Sequence, residues 1–486
     1  MYHQFINEHK NVIPDSVPGS PFWTFALLKS QPCGSAMPNF VSHVARLKWL
    51  SSLVFILVLT ACSDFIHPVK STPEPTEYSF NYWLLQRQYL YEDELANLEE
   101  EGDSVQTLYK TLKDPYTNYT PPAKSEVVGQ QIRTSIVIGG DIGLRYYNLT
   151  DQKHPVYIYR VYPKGPAGRA NVPKYGNIIS VNDVELTGEK AKATYDSILS
   201  VNKNVDLLIA YKGDTTLYKL EKETIYAPTV FLDTLFEDSA KGYPGIIFVD
   251  IEIFKDTTED RKNGSYGELK AYLDSTASDN HVRVLDLRGN PGGSVKQCIK
   301  MADLFVKEGT LSTNNWRSLD GNGNSRKSTT TFNATAGDPG EQGKFIILAN
   351  GGSASCAEIF IAAVTETTDI PLVGSKTYGK GIGQTNFKTY ANGLATITDR
   401  EFLTPKGNSY HLKGIYPKYE CSGTVFENCA AQVANKLYGV KIPTQDGSLA
   451  KRASNFTENT VWNLEGGAIE WEDSDYYFKV FEKTLP

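Results

Sequence analysis

The sequence contains few cysteines. It has 6 Cys among 486 residues, and two of these, Cys33 and Cys62, lie before and just after an N-terminal apolar segment. So few cysteines in so long a chain exclude a fold that depends on a disulfide framework. Cys421 and Cys429 lie eight positions apart and could pair. Cys298 and Cys356 complete the set.

The small number of histidines and the low net charge limit the functions that are compatible with the sequence. The 7 His are scattered singly, and no His and Cys spacing resembles a zinc site, so neither a metal nor an organic cofactor is implied. The formal net charge is -7, and the longest run of like charge is the acidic residues 99–101. A protein that binds nucleic acid needs a concentrated basic face, so this class is excluded.

The composition that remains is typical of a folded protein. Hydrophobic residues make up 40%, aromatic residues 12% and charged residues 22% of the chain. This balance excludes disordered, collagenous and coiled-coil classes. Because a single core rarely grows to this length, we expect two to four domains.

One segment near the N-terminus is apolar enough to meet a membrane. Residues 53–59 form an apolar run behind Arg46 and Lys48, and they lead into Leu-Thr-Ala followed by Cys62. A basic start, a short apolar run and small residues predict a secretory leader over 1–61, with the signal itself over 37–61. An uncleaved anchor helix is the alternative, although the run is short for a spanning helix.

The end of this leader resembles the lipobox of bacterial lipoproteins. The resemblance implies that Cys62 becomes the first residue and carries lipid, which would hold the protein at a membrane. We therefore expect a lipoprotein in the cell envelope of a Gram-negative bacterium, facing the periplasm. Residues 62–76 contain several prolines and are interpreted as a tether.

The hydrophobic pattern divides the rest of the chain into four regions. Residues 77–130 have mostly helical periodicity, including one continuous helix predicted over 78–98, and form a cap. Residues 131–224 alternate as strands with glycine- and proline-bearing turns, with one helix near 189–200. Residues 225–420 alternate apolar strands with helices, which indicates an α/β sheet buried on both faces. Residues 421–486 form a tail that we expect to pack on this core.

Two glycine-bearing junctions follow predicted core strands, at residues 286–293 and 350–360. Functional sites in α/β folds lie at the carboxyl ends of strands. In the second junction Ser353 and Ser355 precede a predicted helix, where free N–H groups can receive an oxyanion. A serine at that position is also a common helix N-cap, so both interpretations stay open from this junction alone.

Three motifs in order resemble the C-terminal processing (tail-specific) peptidases. They are Asp-Leu-Arg-Gly-Asn-Pro-Gly-Gly at 286–293, Ser-Ala-Ser-Cys-Ala-Glu-Ile at 353–359 and Thr-Tyr-Gly-Lys-Gly-Ile-Gly-Gln at 377–384. Further matches are Lys-Asp-Pro-Tyr-Thr at 113–117 and the segments 405–407 and 413–417. The resemblance spans about residues 80–420. It implies a multidomain α/β protein with a crotonase-like or Clp-protease-like core, a helical N-terminal cap and an inserted, mostly β PDZ domain.

The resemblance also implies a role for each residue of the motifs. Ser355 is the nucleophile, Lys380 is the general base and Gln384 orients the lysine amine. A serine hydroxyl needs such a base, and a buried lysine can lose its proton. The oxyanion hole is assigned to the N–H of Cys356 and to one N–H of the pair Gly292 and Gly293, with Gly293 preferred.

The β region from 131 to 224 is similar to a PDZ domain of bacterial proteases. The segment Gly-Gly-Asp-Ile-Gly-Leu at 139–144 precedes a strand, as in the peptide-binding loop of such domains. A bound peptide adds as a strand, and loop N–H groups hold its terminal carboxylate. Ile142, Gly143 and Leu144 are expected to line this groove.

Three functions are compatible with these motifs. The first is a serine endopeptidase that binds protein C-termini through the PDZ domain and cleaves through an acyl-enzyme. The second is a hydrolase of non-peptide esters, which a peptide-binding domain disfavours. The third is a catalytically silent or gated scaffold that binds C-termini without cutting, which the intact Ser355, Lys380 and Gln384 disfavour. The expected partners are proteins with exposed C-termini and the membrane.

Overall fold

The computed structural model of the chain describes residues 75–149, 152–421, 425–443, 468–472 and 474–484. The predicted leader, Cys62 and the predicted tether as far as residue 74 lie outside these ranges. Among the helices within them, none combines the length and apolar character needed to cross a bilayer.

The cap region contains three helices and one 3₁₀ segment. The helices are α1 (Glu77–Gln88), α2 (Val105–Lys110) and α3 (Pro122–Arg133), and the 3₁₀ segment is Glu92–Asn97. The continuous helix predicted over 78–98 is wrong, because the backbone turns extended at Tyr89. Leu90 then donates its N–H to the carbonyl of Thr398 at 2.9 Å. Pairing with a distant strand therefore overrides the local helical pattern.

The central sheet carries the α/β core. Its strand order is β10-β11-β12-β15-β16-β19, parallel from β11 onward, with β10 antiparallel at one edge. The strands are β10 (Val230–Asp238), β11 (Tyr243–Ile251), β12 (Val282–Asp286), β15 (Lys344–Ala349), β16 (Leu372–Gly374) and β19 (Tyr419–Glu420).

Helices cover this sheet on both faces. One face packs on α6 (Gly264–Ser275), α7 (Val295–Asp303) and α8 (Cys356–Thr367) through alternate strand residues such as Leu285 and Ile347. The other face packs on α9 (Phe426–Tyr438). The predicted multidomain α/β architecture is confirmed, because a sheet buried on both faces needs uninterrupted apolar strands.

A second sheet joins the core to the cap and to the tail. Its order is β14-β13-β18-β17-β20, and β1 pairs with β18. Its strands are β1 (Asn118–Thr120), β13 (Thr310–Leu319), β14 (Ser325–Asn333), β17 (Ile382–Lys388), β18 (Leu394–Leu403) and β20 (Ala468–Trp471). Helix α10 (Ser474–Thr484) packs with α1 in one aromatic cluster that includes Phe80, Trp83 and Phe481.

The region from 131 to 224 forms a separate sheet, which we call the β module. Its order is β3-β4-β5-β7-β8, with β6 paired to β5. Its elements are β3 (Leu144–Asn148), β4 (Val156–Val161), α4 (Pro166–Arg169), β5 (Asn177–Val181), β6 (Val184–Glu185), α5 (Ala191–Val201), β7 (Asn204–Tyr211) and β8 (Asp214–Glu221). Strands β2 (Ile136–Asp141) and β9 (Glu223–Tyr226) pair with each other, so β9 crosses the predicted boundary at 224.

The structure also decides the cysteine pairing that the spacing left open. Cys421 and Cys429 form a disulfide, with their Cα atoms 5.8 Å apart. Cys298 and Cys356 are free thiols, and both are buried.

Candidate active site

The two glycine-bearing junctions lie side by side. Strands β12 and β15 are parallel neighbours, so their carboxyl ends meet at one edge of the central sheet. Asn350 accepts the N–H of Gly289 at 3.0 Å, and Ala354 donates its N–H to Asn290 O at 2.9 Å. These bonds tie the 286–293 turn to the loop that carries the two serines.

Ser355 stands at the first turn of α8 in an unusual backbone conformation. Its φ is 58°, which is a left-handed value that non-glycine residues rarely adopt, and the residue is fully buried. Strain of this kind is typical of functional sites. The hydroxyl of Ser353, by contrast, donates to Leu287 O at 2.8 Å and accepts the N–H of Asn350 at 3.0 Å. Ser353 therefore has a structural role in the loop.

The turn at Gly292 and Gly293 approaches Ser355 closely. A Cβ at Gly292 would lie 2.9 Å from Ser355 Cβ, so only glycine fits there. Gly292 already donates its N–H to Asn290 Oδ1 at 2.9 Å. The Cys356 thiol donates to Gly293 O at 3.1 Å, and burial raises the pKa of this thiol. Cys356 thus links the start of α8 to the glycine turn.

Glu358 organises both halves of the site. One carboxylate oxygen accepts the N–H of Ser355 at 2.9 Å and the N–H of Lys380 at 2.7 Å. The other accepts the N–H of Gly379 at 2.7 Å and the hydroxyl of Thr377 at 2.5 Å. Burial raises the pKa of Glu358, and these four donors oppose the rise. One buried side chain therefore fixes the backbone of the serine relative to that of the lysine.

Lys380 is a buried amine. Its side chain is 1% exposed, and Nζ donates to Gln384 Oε1 at 3.1 Å. Burial lowers the pKa of Lys380 to about 7, because desolvation penalises the ammonium form. No acidic side chain in the described ranges forms a salt bridge with this lysine. At neutral pH a substantial fraction of the amine is therefore unprotonated and able to accept a proton.

Gln384 is held with its side-chain oxygen toward Lys380. Its Nε2 donates to Thr398 Oγ1 at 3.0 Å, so its oxygen faces Lys380. The backbone N–H of Thr398 donates to Thr117 Oγ1 at 2.9 Å. Thr117 in turn donates to Asp114 Oδ2 at 2.6 Å. A chain of hydrogen bonds thus runs from the cap to the catalytic candidate.

Sequence reasoning missed the contribution of the cap motif at 113–117. The ring of Tyr116 lies over the lysine, with Nζ 3.8 Å from the ring centroid. The Tyr116 hydroxyl lies 3.4 Å from that of Tyr378. The motif match was visible in the sequence, but its residues had no assigned role there. Only the pairing of β1 with β18 brings this segment to Lys380.

An open cavity of about 460 Å³ adjoins Tyr116. Aromatic and apolar side chains form part of its wall, and charged side chains form the rest. Its lining includes Tyr91, Asp114, Tyr116, Tyr378, His411 and Leu412. His411 therefore lies near the site, and burial lowers its pKa.

The predicted peptide-binding residues lie at one edge of the β module. Ile142, Gly143 and Leu144 connect β2 to β3, and β3 is the edge strand of its sheet. A cavity of about 270 Å³ separates this segment from α5, and Ile142, Leu144, Tyr146 and Leu199 line it. Gly143 donates its N–H to Asp141 Oδ1 at 2.6 Å.

The core sequence matches a known family. The model of peptidase family S41 matches residues 246–421. This region, the S41 core, is similar to that family. The matched range contains the 286–293 turn, Ser355, Glu358, Lys380 and Gln384. The resemblance that the three motifs predicted is confirmed.

Two relatives and one solved structure are similar to this chain. A protein of Staphylococcus aureus (strain COL), described as a probable CtpA-like serine protease, is 27% identical over 77% of this chain and 72% of its own length. A similarly described protein of Staphylococcus epidermidis is 26% identical over 74% of this chain and 67% of its own length. A solved S41 protease from Bacteroides fragilis NCTC 9343 superposes with a TM-score of 0.52 at 14% identity, over 76% of this chain and 99% of that one.

The described residues contain no cluster of three or more His, Cys, Asp and Glu that could hold a metal ion.

Proposed function

We propose that this protein is a serine endopeptidase with a Ser–Lys dyad, in which Ser355 is the nucleophile and Lys380 is the general base. The observation that carries the proposal is the position of Lys380: a buried amine with a pKa of about 7, bonded to Gln384 and fixed through Glu358 to the backbone of Ser355. A base with a pKa near the working pH is suited to proton transfer.

The proposed reaction begins with the neutral lysine. Lys380 Nζ takes the proton of Ser355 Oγ as this oxygen attacks the peptide carbonyl. The N–H groups of Cys356 and Gly293 receive the developing oxyanion, since Gly292 donates elsewhere. The lysine ammonium then gives its proton to the leaving amine, and an acyl-enzyme remains. Water attacks the ester with Lys380 again as base, which releases the new C-terminus and regenerates Ser355.

Tyr116 and Gln384 support the lysine during this cycle. Gln384 offers only a neutral oxygen to Lys380, so it orients the amine without raising its pKa as a carboxylate would. The ring of Tyr116 stabilises the ammonium that forms in each half-reaction through its quadrupole. The adjoining cavity of about 460 Å³ offers room for a substrate side chain.

The finer assignments of fold and recognition belong to the same proposal. We infer that the core is of the crotonase-like or Clp-protease-like type and that the β module is a PDZ domain. An edge strand beside a helix, with a cavity between them, supports addition of a peptide strand along β3. The proposed substrates are proteins with exposed C-termini.

The test uses the full-length chain in detergent, with Ser355→Ala and Lys380→Ala as variants. Each is incubated with an unstructured protein that has an apolar C-terminus, and fragments are followed by mass spectrometry. We expect cleavage by the parent and a loss of about a thousandfold or more in each variant. Cleavage that survives in Ser355→Ala and disappears in Ser353→Ala would move the nucleophile to Ser353. Binding without cleavage by the folded parent would favour the silent or gated scaffold.

Localisation is proposed from the leader alone. The run before Cys62 supports a lipid-anchored protein of a Gram-negative envelope that faces the periplasm. Metabolic labelling with a tagged fatty acid should mark the parent and leave Cys62→Ala unlabelled. Label that persists in this variant would contradict the assignment of Cys62.

A further inference from the structure

The peptide-binding loop of the β module contains an acidic residue at an unexpected place. Asp141 immediately precedes Ile142, Gly143 and Leu144, the residues that we expect to bind the C-terminal end of a peptide. Its Oδ1 accepts the N–H of Gly143 at 2.6 Å. Its Oδ2 lies 3.3 Å from Nη1 of Arg145 on β3. The chain's own carboxylate therefore occupies an N–H that a ligand carboxylate would use.

The surroundings of this carboxylate are those of a binding groove. Asp141 and Arg145 both line the cavity of about 270 Å³ between β3 and α5. The remaining wall is mainly apolar or aromatic, and Lys192 on α5 is a further cation there, paired with Asp196. The edge strand β3 lines the same cavity through Leu144, Arg145 and Tyr146. Asp141 thus sits where the end of an added strand would lie.

Burial indicates that this carboxylate can be displaced. The side chain of Asp141 is 20% exposed and that of Arg145 is 36% exposed. The pair is only partly exposed, so solvent screens it in part, and the carboxylate accepts a single backbone N–H. The interaction is therefore strong enough to compete with a ligand and weak enough to yield to one.

We propose that Asp141 is an internal competitor for the C-terminal carboxylate of the peptide. This inference rests on the proposed function of the β module and deepens it. A peptide that ends in a carboxylate must displace Asp141 from the N–H of Gly143 and must share Arg145 with it. A peptide that ends in an amide does not meet the same charge repulsion. Asp141 therefore reduces the preference of the groove for free C-termini and sets a low resting affinity for them.

Two substitutions separate the charge of Asp141 from its hydrogen bond. Asp141→Asn keeps an oxygen acceptor for the N–H of Gly143 and removes the charge, whereas Asp141→Ala removes both. The control Asp214→Asn removes an exposed charge from β8, at the opposite edge of the same sheet. Leu199→Glu places a charge in the groove itself, because Leu199 lines the cavity.

The experiment measures fluorescence anisotropy with the full-length chain in detergent, carrying Ser355→Ala to prevent cleavage. Two labelled peptides have the same apolar C-terminal sequence and end in a carboxylate or in an amide. We expect Asp141→Ala to bind the acid peptide about tenfold more tightly than the Asp141 parent, the size of one charge-assisted hydrogen bond. Asp141→Asn should gain about threefold for the acid peptide, and the amide peptide should gain less than the acid peptide in both variants.

The outcomes distinguish the inference from the proposed function. Thermal unfolding first checks that both Asp141 variants are folded. If Leu199→Glu abolishes binding but both Asp141 variants bind the peptides with the same affinity as Asp214→Asn, the groove binds peptides and the competitor role of Asp141 is overturned. Equal gains for acid and amide peptides would also overturn it, since they would indicate steric relief. Binding of neither peptide by any variant, or binding that Leu199→Glu does not change, would overturn both the groove and the inference.

Discussion

Glu358 in the S41 core and Asp141 in the β module both accept backbone N–H groups of loops, but the two carboxylates differ in burial and in the number of their donors. Glu358 in the core is fully buried and accepts four hydrogen bonds from two separate segments. Asp141 in the β module is partly exposed and accepts one backbone N–H within its own turn. The same functional group can therefore be a permanent connection or a displaceable one, and burial together with the number of donors decides which.

The contrast matches the tasks proposed for the two regions. A dyad must keep its nucleophile and base in register through every turnover, and buried carboxylates with several donors provide such rigidity. A groove that admits different C-termini must release its internal contacts on each binding event. The predictions that follow test this difference, beginning with the largest effect.

Glu358→Gln should cause the largest loss. The side-chain amide of glutamine replaces one acceptor oxygen with an NH₂ donor. This donor would face N–H groups that in the parent donate to a carboxylate oxygen, so the backbone of Ser355 or Lys380 must move. We expect kcat/KM to fall about a hundredfold or more and the free energy of unfolding to fall by about 2–4 kcal/mol. Peptidase assays and thermal unfolding measure the two losses.

A matched control for this variant lies on the same helix. Glu366 near the end of α8 accepts one N–H, from Lys406 at 3.1 Å, and is not fully buried. Glu366→Gln should change neither quantity appreciably. Equal effects of the two substitutions would show that Glu358 is an ordinary helix carboxylate and would remove the comparison drawn above.

Gln384→Glu should shift the pH dependence of the reaction. A carboxylate in place of Oε1, 3.1 Å from Lys380 Nζ, favours the ammonium and raises the pKa of the lysine by about 1–3 units. The acid limb of the kcat/KM profile should move to higher pH by that amount. Gln384→Met, which removes the hydrogen bond without adding charge, should not produce an upward shift. A profile that is the same for Gln384→Glu and the parent would mean that Lys380 is not the titrating base.

The parent itself should show the titration of Lys380. The reactive form is the neutral amine, whose fraction increases with pH, so kcat/KM should rise about tenfold per pH unit below pH 7 and level off above it. Lys380→Arg should be inactive across the range, because arginine keeps its proton. An acid limb centred near pH 4 would instead point to a carboxylate base.

Asp141→Asn should have the smallest effect on the fold. Since Asp141 is partly exposed and its acceptor is retained in asparagine, the free energy of unfolding should change by less than about 1 kcal/mol. Thermal unfolding measured beside Glu358→Gln compares the two carboxylates directly. A loss as large as that of Glu358→Gln would mean that the loop of the β module is as rigid as the active site.

Much of this arrangement could be predicted from local sequence. Apolar strand patterns predicted a sheet buried on both faces, and the motifs named Ser355, Lys380, Gln384 and the glycine turn. The prediction of one continuous helix over residues 78–98 is wrong, because the same spacing of apolar residues is also compatible with a shorter helix followed by a turn and a 3₁₀ segment. The tail was expected only to pack on the core, because nothing in it indicates that β20 extends the second sheet beside Gln384.

The order of the motifs and their residue types can be read from the chain alone, because strand period, turn glycines and the residues of the proposed dyad are local properties. How the motifs act together depends on long-range contacts. Tyr116 covers Lys380, and Thr117 bonds to Thr398, 281 positions away. Such contacts depend on strand pairing and burial, and burial is also what lowers the pKa of Lys380. Desolvation and long-range hydrogen bonds exist only after the chain has folded.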